Sequence, residues 1–232
     1  MRRRLRSMKL IAFDFDGTLS DSEMTVLLGE REGVADEMAE ITERAMNDEL
    51  SYAESLRERA SLLEGLEEER AEEAYGEVAL RPGAADLLRR LDDYGHHVAI
   101  LTGGFERGVA RALEKEGARD AVDTIVSNRL PVKGGRLTGG VEGPLVEGTK
   151  DHELERLADE LGVRMGQTVA IGDGANDLPM LEVAGLAVGY LPKPAVRPHC
   201  DVVVASMDRL ARVFEERGIL RADDAERGDD GT

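Results

Sequence analysis

A short apolar run that ends in two closely spaced aspartates constrains this chain more than any other feature. Residues 10–13, Leu-Ile-Ala-Phe, are typical of a buried β-strand, and Asp14, Asp16 and Gly17 follow them directly. Two carboxylates at the end of a buried strand are costly unless positive charge lies beside them. A divalent cation held by oxygen ligands would supply that charge. An ordinary polar turn is the alternative, since Asp-Gly is common turn chemistry.

Strands and helices alternate along most of the chain. We expect strands at 9–14, 97–101, 121–127, 168–171, 186–188 and 202–204, and helices at 20–47, 52–63, 66–75, 84–94, 105–116, 150–161, 177–183 and 207–217. This alternation predicts an α/β fold in which helices cover both faces of a parallel sheet. Residues 21–79 contain no expected strand and form a helical insert, so that residues 9–20 and 80–220 make up the core.

Three further segments complete this outline. Residues 128–145 contain two Gly-Gly pairs among β-forming residues, which is typical of a hairpin. Residues 1–8 are basic and residues 221–232 lack an apolar period, so we expect both ends of the chain to be disordered.

Unusual residues follow three of the expected strands. Asp14 and Asp16 follow the first, Thr102-Gly-Gly follows the second, and Asp173 and Asp177 follow the strand at 168–171. Asp173 alone could be a helix N-cap, and Asp177 alone could complement a helix dipole. The carboxyl ends of parallel strands meet at one edge of the sheet, however, and several carboxylates there need a cation. Thr102 and the glycines after it would offer a hydroxyl and backbone N–H groups to an anion at a helix start.

Three charged residues outside these strand ends are also candidates. Lys150 lies in the first turn of a helix, where a cation opposes the dipole, so it is either a solvated surface residue or the partner of an anion. Glu23 stands three residues after Ser20, which is the spacing of a capping box. Arg59 shares a helix face with Leu56 and Leu63. It can either snorkel to solvent or bind an anion through two hydrogen bonds.

Composition and charge exclude several classes of partner. The net charge of −18 at pH 7 argues against nucleic acid, which would require a basic patch. No apolar run approaches the ~18 residues of a membrane-spanning helix, and no apolar signal-peptide segment follows the basic start. Cys200 is the single cysteine, so no disulfide or cysteine-based zinc site is expected. We therefore expect a cytoplasmic protein with no nucleic-acid and no membrane partner.

Taken together, these residues resemble the motifs of the haloacid dehalogenase superfamily of phosphohydrolases. The matching residues are Asp14-Phe-Asp-Gly-Thr18, Thr102 after a strand, Lys150, and Gly172-Asp-Gly-Ala-Asn-Asp177, within a match that runs from about residue 9 to residue 205. The resemblance implies a Rossmann-like, doubly wound parallel sheet with a mobile helical cap inserted after the first strand. Within the superfamily the chain is similar to the branch that acts on phosphoserine, as judged from Glu23, Ser55-Leu-Arg-Glu-Arg59, Ser61-Leu-Leu63 and Thr102-Gly-Gly-Phe105.

The resemblance also implies roles for individual residues. Asp14 would be the nucleophile and Asp16 the general acid and base. Mg²⁺ would be held by Asp14, the Asp16 carbonyl and Asp173, with Asp177 in support. The phosphoryl oxygens would be held by Thr102, Gly103, Lys150 and Asn176. The ammonium and carboxylate groups of a small phosphorylated amino acid would be bound by Glu23 and Arg59, with Met46 and Tyr52 as apolar cap residues near the substrate.

Two departures from the family pattern concern the substrate and not the chemistry. Gly17 and Thr102 stand where the phosphoserine-specific branch usually has serine, although both replacements are common in the wider superfamily. Three functions therefore stay open at this point. The chain could hydrolyse phosphoserine, it could act as a phosphatase or phosphotransferase on another small phosphorylated metabolite, or it could be a catalytically silent binding protein.

Overall fold

The structure, a computed structural model, describes residues 8–46 and 49–221. Its strands are β1 (Leu10–Phe13), β2 (His97–Phe105), β3 (Thr124–Asn128), β4 (Val132–Lys133), β5 (Arg136–Leu137), β6 (Thr168–Gly172), β7 (Ala187–Tyr190) and β8 (Val202–Val204). Within the described residues, strands β4 and β5 form the predicted hairpin, and the others form one parallel sheet in the order β3-β2-β1-β6-β7-β8. The first strand therefore lies at the centre, between β2 and β6.

Helices pack on both faces of this sheet. The helices in the described residues are α1 (Met24–Glu32), α2 (Ala35–Met46), α3 (Tyr52–Ser61), α4 (Glu68–Glu77), α5 (Ala84–Asp93), α6 (Glu106–Lys115), α7 (Pro144–Glu147), α8 (Lys150–Leu161), α9 (Leu178–Val183) and α10 (Met207–Glu216).

The alternating side chains of β1 explain why both faces are covered. Ile11 and Phe13 belong to an apolar cluster with residues of α5, α6 and α10, while Leu10 and Ala12 belong to a second cluster with residues of α8 and α9. All four side chains are fully buried, as expected for a strand that is covered on both sides. The predicted doubly wound parallel α/β fold is confirmed.

The helical insert differs in detail from the prediction. The single helical region expected at 20–47 is two helices, α1 and α2, because Gly33 adopts the left-handed conformation (φ 80°) and its N–H bonds to the Gly29 carbonyl. Glycine is the usual residue at such a helix end. The helix also begins at Met24 rather than at residue 20.

The insert is joined to the core at its linkers and through the β4–β5 hairpin. The linkers on either side of the insert meet where the Ser20 hydroxyl donates to the Ala79 carbonyl at 2.8 Å. The β4–β5 hairpin extends from the core to the loop between α3 and α4. There, Gly65 N–H donates to the Leu137 carbonyl and Leu137 N–H donates to the Leu66 carbonyl, both at 2.9 Å. The insert is thus held against the core at its two linkers and again at the loop between α3 and α4.

Disorder was predicted for residues 1–8 and 221–232, of which residues 1–7 and 222–232 lie outside the described residues. Across the part of the chain that the structure describes, none of the helices combines the length and apolar character required to cross a membrane.

Candidate active site

The strand order brings the aspartates that follow β1 close to those that follow β6. Strands β1 and β6 are neighbours in register, with Phe13 opposite Ile171, so Asp14 and Asp173 leave the sheet side by side. The Asp14 N–H still donates to the Ile171 carbonyl at 2.8 Å, and its carboxylate is buried. This placement at the carboxyl edge follows directly from the parallel pairing.

Lys150 lies among these carboxylates and not in solvent. Its ammonium donates to Asp14 Oδ1 at 2.5 Å and to Asp177 Oδ1 at 2.6 Å. All three side chains are at most 4% exposed. Burial opposes the lysine charge, but the two carboxylates outweigh it and hold the Lys150 pKa above its usual value. The expectation that Lys150 has an anionic partner is thus supported, and the surface alternative is wrong.

Asp177 organises the loop that carries Asp173. Its second oxygen, Oδ2, accepts from the backbone N–H groups of Asp173 at 2.9 Å and of Gly174 at 3.0 Å. Gly174, not Asp173, holds the N-cap position of the short 3-10 turn at Ala175–Asp177. The helix-cap explanation for Asp173 is therefore wrong, and its carboxylate is left to face Asp14.

The acidic cluster fits a hard cation. One carboxylate oxygen each from Asp14, Asp173 and Asp177 lies within 4.8 Å of the others. Burial, followed by the charge of Asp177, raises the pKa of Asp14 to about 7 and the pKa of Asp173 to about 6. Carboxylates packed this closely disfavour one another's charge, and oxygen donors are the ligands that Mg²⁺ prefers.

Asp16 lies above the cluster with one oxygen uncommitted. Its Oδ1 is buried and has no hydrogen-bond partner among the described residues. Burial, then the charges of Asp14 and Glu23, raise the Asp16 pKa well above the ordinary value. A buried carboxyl group of this kind holds a proton that it can donate.

Glu23 is not part of a capping box. Helix α1 begins after Glu23, which makes no side-chain cap bond, and the Ser20 hydroxyl donates to Ala79 of the returning linker. The Glu23 side chain is exposed, and its charge contributes to the raised pKa values of Asp16 and Asp173. Glu23 therefore faces the carboxyl edge from the rim of the insert.

Arg59 of α3 contacts α1 close to Glu23, through Thr25. Leu56 and Leu63 on its helix face are buried at 1% exposure, and the half-buried Arg59 is held loosely. Its Nη1 donates to the Thr25 hydroxyl and its Nε to the Ser55 carbonyl, both at 3.3 Å. Two long bonds to neutral groups leave donors of the guanidinium available for an anion.

The strand end at Thr102 departs from its prediction. No helix starts at Thr102, because β2 continues to Phe105 with a shift of register after Leu101, and α6 begins at Glu106. The buried Thr102 hydroxyl accepts from Gly104 N–H at 2.9 Å. Its own hydrogen therefore stays free to be donated into the site. The groups expected to bind an anion therefore lie in a β-bulge and not at a helix N-terminus.

The remaining predicted residues lie around this edge. The Tyr52 hydroxyl lies against Gly103. Asn176 is exposed in the 3-10 turn after Asp173. Met46 ends α2, but its side chain lies outside the described residues.

Asn128 is a site residue that sequence reasoning missed. It ends β3, the strand next to β2, and it is 1% exposed. Its Nδ2 donates to the Gly103 carbonyl at 3.1 Å, and its Oδ1 accepts from Leu145 N–H at 3.1 Å. It thereby fixes the bulge that carries Thr102 and Gly103. A polar residue at the end of a buried strand, the feature that identified Asp14, was the available signal.

Arg81 was missed as well. It follows the insert, and its guanidinium donates to the Gly17 carbonyl at 3.1 Å while its face lies over the Tyr190 ring. Gly17 has a φ of 85°, and a Cβ there would lie 2.8 Å from the Asp173 carboxylate. The backbone and the close approach of Asp173 therefore both favour glycine over serine at this position.

Metal binding by this cluster is expected to depend on pH. In the folded protein the pKa is about 7 for Asp14 and about 6 for Asp173, whereas the ordinary value for an aspartate in the unfolded chain is 3.8. The metal-free protein should therefore lose stability as the pH rises through this interval. Mg²⁺ must displace those protons, so its affinity should rise by up to about tenfold per pH unit for each proton displaced. Calorimetric titrations with Mg²⁺ at pH 5.5, 6.5 and 7.5 would measure this, and an affinity independent of pH would contradict it.

Comparison with known proteins places this geometry in a family. Residues 11–182 match the profile of the haloacid dehalogenase-like hydrolases. A phosphoserine phosphatase of Halobacterium salinarum is 55% identical over 212 residues, which is 91% of this chain and 100% of that protein. A phosphoserine phosphatase of Methanocaldococcus jannaschii is 38% identical over 204 residues, covering 88% of this chain and 95% of the relative.

Solved structures show the same likeness. A phospho-aspartyl intermediate analogue of a phosphoserine phosphatase superposes with a TM-score of 0.82 at 36% identity, covering 90% of this chain and 99% of the other. A substrate-bound phosphoserine phosphatase complex superposes with a TM-score of 0.81 at 36% identity, covering 91% and 99%.

Proposed function

The chain belongs to the haloacid dehalogenase-like hydrolases, and within them to the phosphoserine phosphatases; on this basis we propose that it hydrolyses O-phosphoserine to serine and phosphate with Mg²⁺. The observation that carries the proposal is the buried pairing of Lys150 with Asp14 and Asp177, beside Asp16 and Asp173. This arrangement provides a nucleophile, a proton donor and a cation site at one sheet edge. The product places the enzyme in serine biosynthesis.

Asp14 acts as the nucleophile. Its Oδ1 is held by Lys150 at 2.5 Å, which fixes the carboxylate and leaves Oδ2 to attack phosphorus. The bond from Asp14 to phosphorus forms as the bond to the serine oxygen breaks. The aspartyl phosphate divides one difficult displacement into two easier ones.

Asp16 moves the proton in both steps. Its raised pKa keeps a proton available for the serine oxygen as that oxygen leaves. In the second step Asp16 takes a proton from the water that attacks the aspartyl phosphate, and Asp14 and free phosphate are regenerated. The uncommitted Asp16 Oδ1 is the atom suited to this transfer.

The charge of the phosphoryl group is balanced by the chain and by a cation. Lys150, the Thr102 hydroxyl, the Gly103 N–H and Asn176 would hold the phosphoryl oxygens, and Asn128 supports Gly103 from behind. The cation would be held by Asp14, Asp173 and the Asp16 carbonyl, with Asp177 in support. When bound, Mg²⁺ would neutralise the equatorial oxygens in the transition state.

The helical insert of residues 21–79 acts as the cap over this edge. It is joined to the core by the hairpin contacts at Gly65 and Leu66 and by the Arg107–Glu68 ion pair. A cap in this position excludes bulk water while the phosphoryl group is transferred.

The fold and the single, half-buried Cys200 are compatible with the cytoplasmic location predicted from the sequence.

Substrate recognition is tested through Glu23 and Arg59. If they bind the ammonium and carboxylate groups of phosphoserine, each makes a charge-assisted hydrogen bond of about 1.5–3 kcal/mol. Glu23→Gln and Arg59→Ala should then each lower kcat/KM for phosphoserine by about 10- to 150-fold. The same variants should leave p-nitrophenyl phosphate turnover nearly unchanged, because that ester carries neither group.

The outcomes separate the competing functions. A parent enzyme that prefers another phosphorylated metabolite in a substrate panel, with free phosphate as readout, would replace phosphoserine as the substrate. Equal losses of kcat/KM on both esters, or none on either, would mean that the cap does not bind the ammonium and carboxylate groups of an amino acid. Absence of phosphate release from every ester with Mg²⁺, when metal binding is intact, would favour a silent binding protein.

A further inference from the structure

The side chain of Tyr52 reaches from the insert onto the phosphate-binding edge of the core. Tyr52 begins α3 directly after the N-cap residue Ser51, which forms a capping box with Glu54. The phenol ring extends to the β2 bulge, where a Cβ added at Gly103 would overlap the Tyr52 hydroxyl oxygen. The insert and the core are therefore in contact here through the Tyr52 hydroxyl and the backbone of Gly103.

The hydroxyl is turned toward the reacting groups. Tyr52 as a whole is 40% exposed, but its hydroxyl lies against Gly103, and the charges of Lys150, Arg59, Asp14 and Asp16 act on its pKa. Burial raises that pKa above its ordinary value, so the hydroxyl stays protonated at neutral pH.

The Tyr52 hydroxyl has no assigned task within the protein. Among residues 8–46 and 49–221, no hydrogen bond of this hydroxyl is found, so it can donate to a bound ligand. An apolar contact with the substrate, the role implied by resemblance, does not require a hydroxyl at all. The hydroxyl oxygen lies against Gly103, next in the chain to Thr102, and its hydrogen can turn toward a group bound beside these two residues.

We propose that the Tyr52 hydroxyl donates a hydrogen bond to an oxygen of the bound phosphoryl group, so that the insert contributes a donor to the phosphate site. This inference rests on the proposed phosphatase function and goes beyond it, since Tyr52 would contact the reacting group and not the amino acid. It also accounts for Gly103, because any side chain there would displace the hydroxyl.

The test is Tyr52→Phe, which removes only the hydroxyl. Loss of one hydrogen bond to a charged group should lower kcat/KM by about 10- to 150-fold. The loss should be similar for phosphoserine and p-nitrophenyl phosphate, because both carry the phosphoryl group. Competitive inhibition by inorganic phosphate should weaken as well. Arg59→Ala, by contrast, is expected to affect phosphoserine alone.

Tyr75→Phe is the matched control. Tyr75 lies in the same insert, is buried at 2% exposure and packs near Gly108, away from the acidic cluster. The change in chemical structure is the same, so its kinetics should equal those of the parent enzyme. Thermal unfolding of both variants checks that the fold is kept.

Each result decides the proposal. Unchanged kinetics and phosphate inhibition in Tyr52→Phe would overturn it, as would a gain in activity, which would mean that the hydroxyl obstructs the site. A loss confined to phosphoserine would also overturn it and assign Tyr52 to the amino acid. If the parent enzyme hydrolyses p-nitrophenyl phosphate but not phosphoserine, the proposed substrate fails while the Tyr52 inference is still decided on that ester. If no ester is hydrolysed, calorimetric binding of inorganic phosphate in Mg²⁺ decides it.

Discussion

Replacing Asp14 with asparagine is expected to reduce phosphate release from phosphoserine to less than about a hundredth of the parent rate, since losing a nucleophile typically costs more than this. Asparagine keeps the shape of the side chain but has no anionic oxygen to attack phosphorus. Discontinuous phosphate assays with saturating Mg²⁺ measure the effect. Turnover above that level would remove Asp14 from the role of nucleophile.

The fold should survive this change. The raised pKa of Asp14 means that its ionised form is disfavoured in the metal-free protein at neutral pH. A neutral amide at position 14 should therefore keep or raise the free energy of unfolding at pH 8. Asp92→Asn, at an exposed position late in α5, is the control and should retain full activity. Loss of activity together with loss of folding in Asp14→Asn would leave the role of this residue structural.

The sheet edge could be predicted because it depends on topology more than on packing detail. Once alternating strands and helices indicate a parallel sheet, residues directly after the strands must meet at one edge. Asp14 and Asp173 follow strands that pair in register, so their approach required no knowledge of side-chain conformation. The same reasoning placed Thr102 beside them, through β1 and β2.

Features that depend on distant contacts could not be predicted in this way. Ser20 and Glu23 have the spacing of a capping box, but Ser20 bonds to a carbonyl 59 residues away. The tertiary contact outcompeted the local pattern. Likewise, β2 was expected to end at residue 101, but it continues to Phe105 with a register shift after Leu101, so Thr102 lies within the strand and not at a helix start. Asn128 and Arg81 donate to backbone carbonyls of other segments. The position of Asn128 at a strand end was a signal, but the partners of both residues cannot be derived from spacing along the chain.

Replacing Lys150 with methionine is expected to abolish activity and to destabilise the metal-free protein. Removing one partner of a buried ion pair costs about 3–5 kcal/mol, because the fully buried carboxylate of Asp177 would then lack its compensating charge. For a chain of this size that corresponds to a fall in Tm of about 6–20 °C. Lys133→Met, at an exposed position in the hairpin, should change the free energy of unfolding by no more than about 0.5 kcal/mol.

The response to Mg²⁺ shows whether this loss is electrostatic. In the parent protein the Lys150 ammonium already neutralises part of the acidic cluster, so a bound cation adds less stability there. Without the ammonium, three carboxylates would bind the cation more tightly, and binding to the folded state alone raises stability. Saturating Mg²⁺ should therefore raise the Tm of Lys150→Met by more than it raises that of the parent. Equal increments, measured by thermal unfolding with and without Mg²⁺, would mean that Lys150 contributes packing and not charge to this cluster.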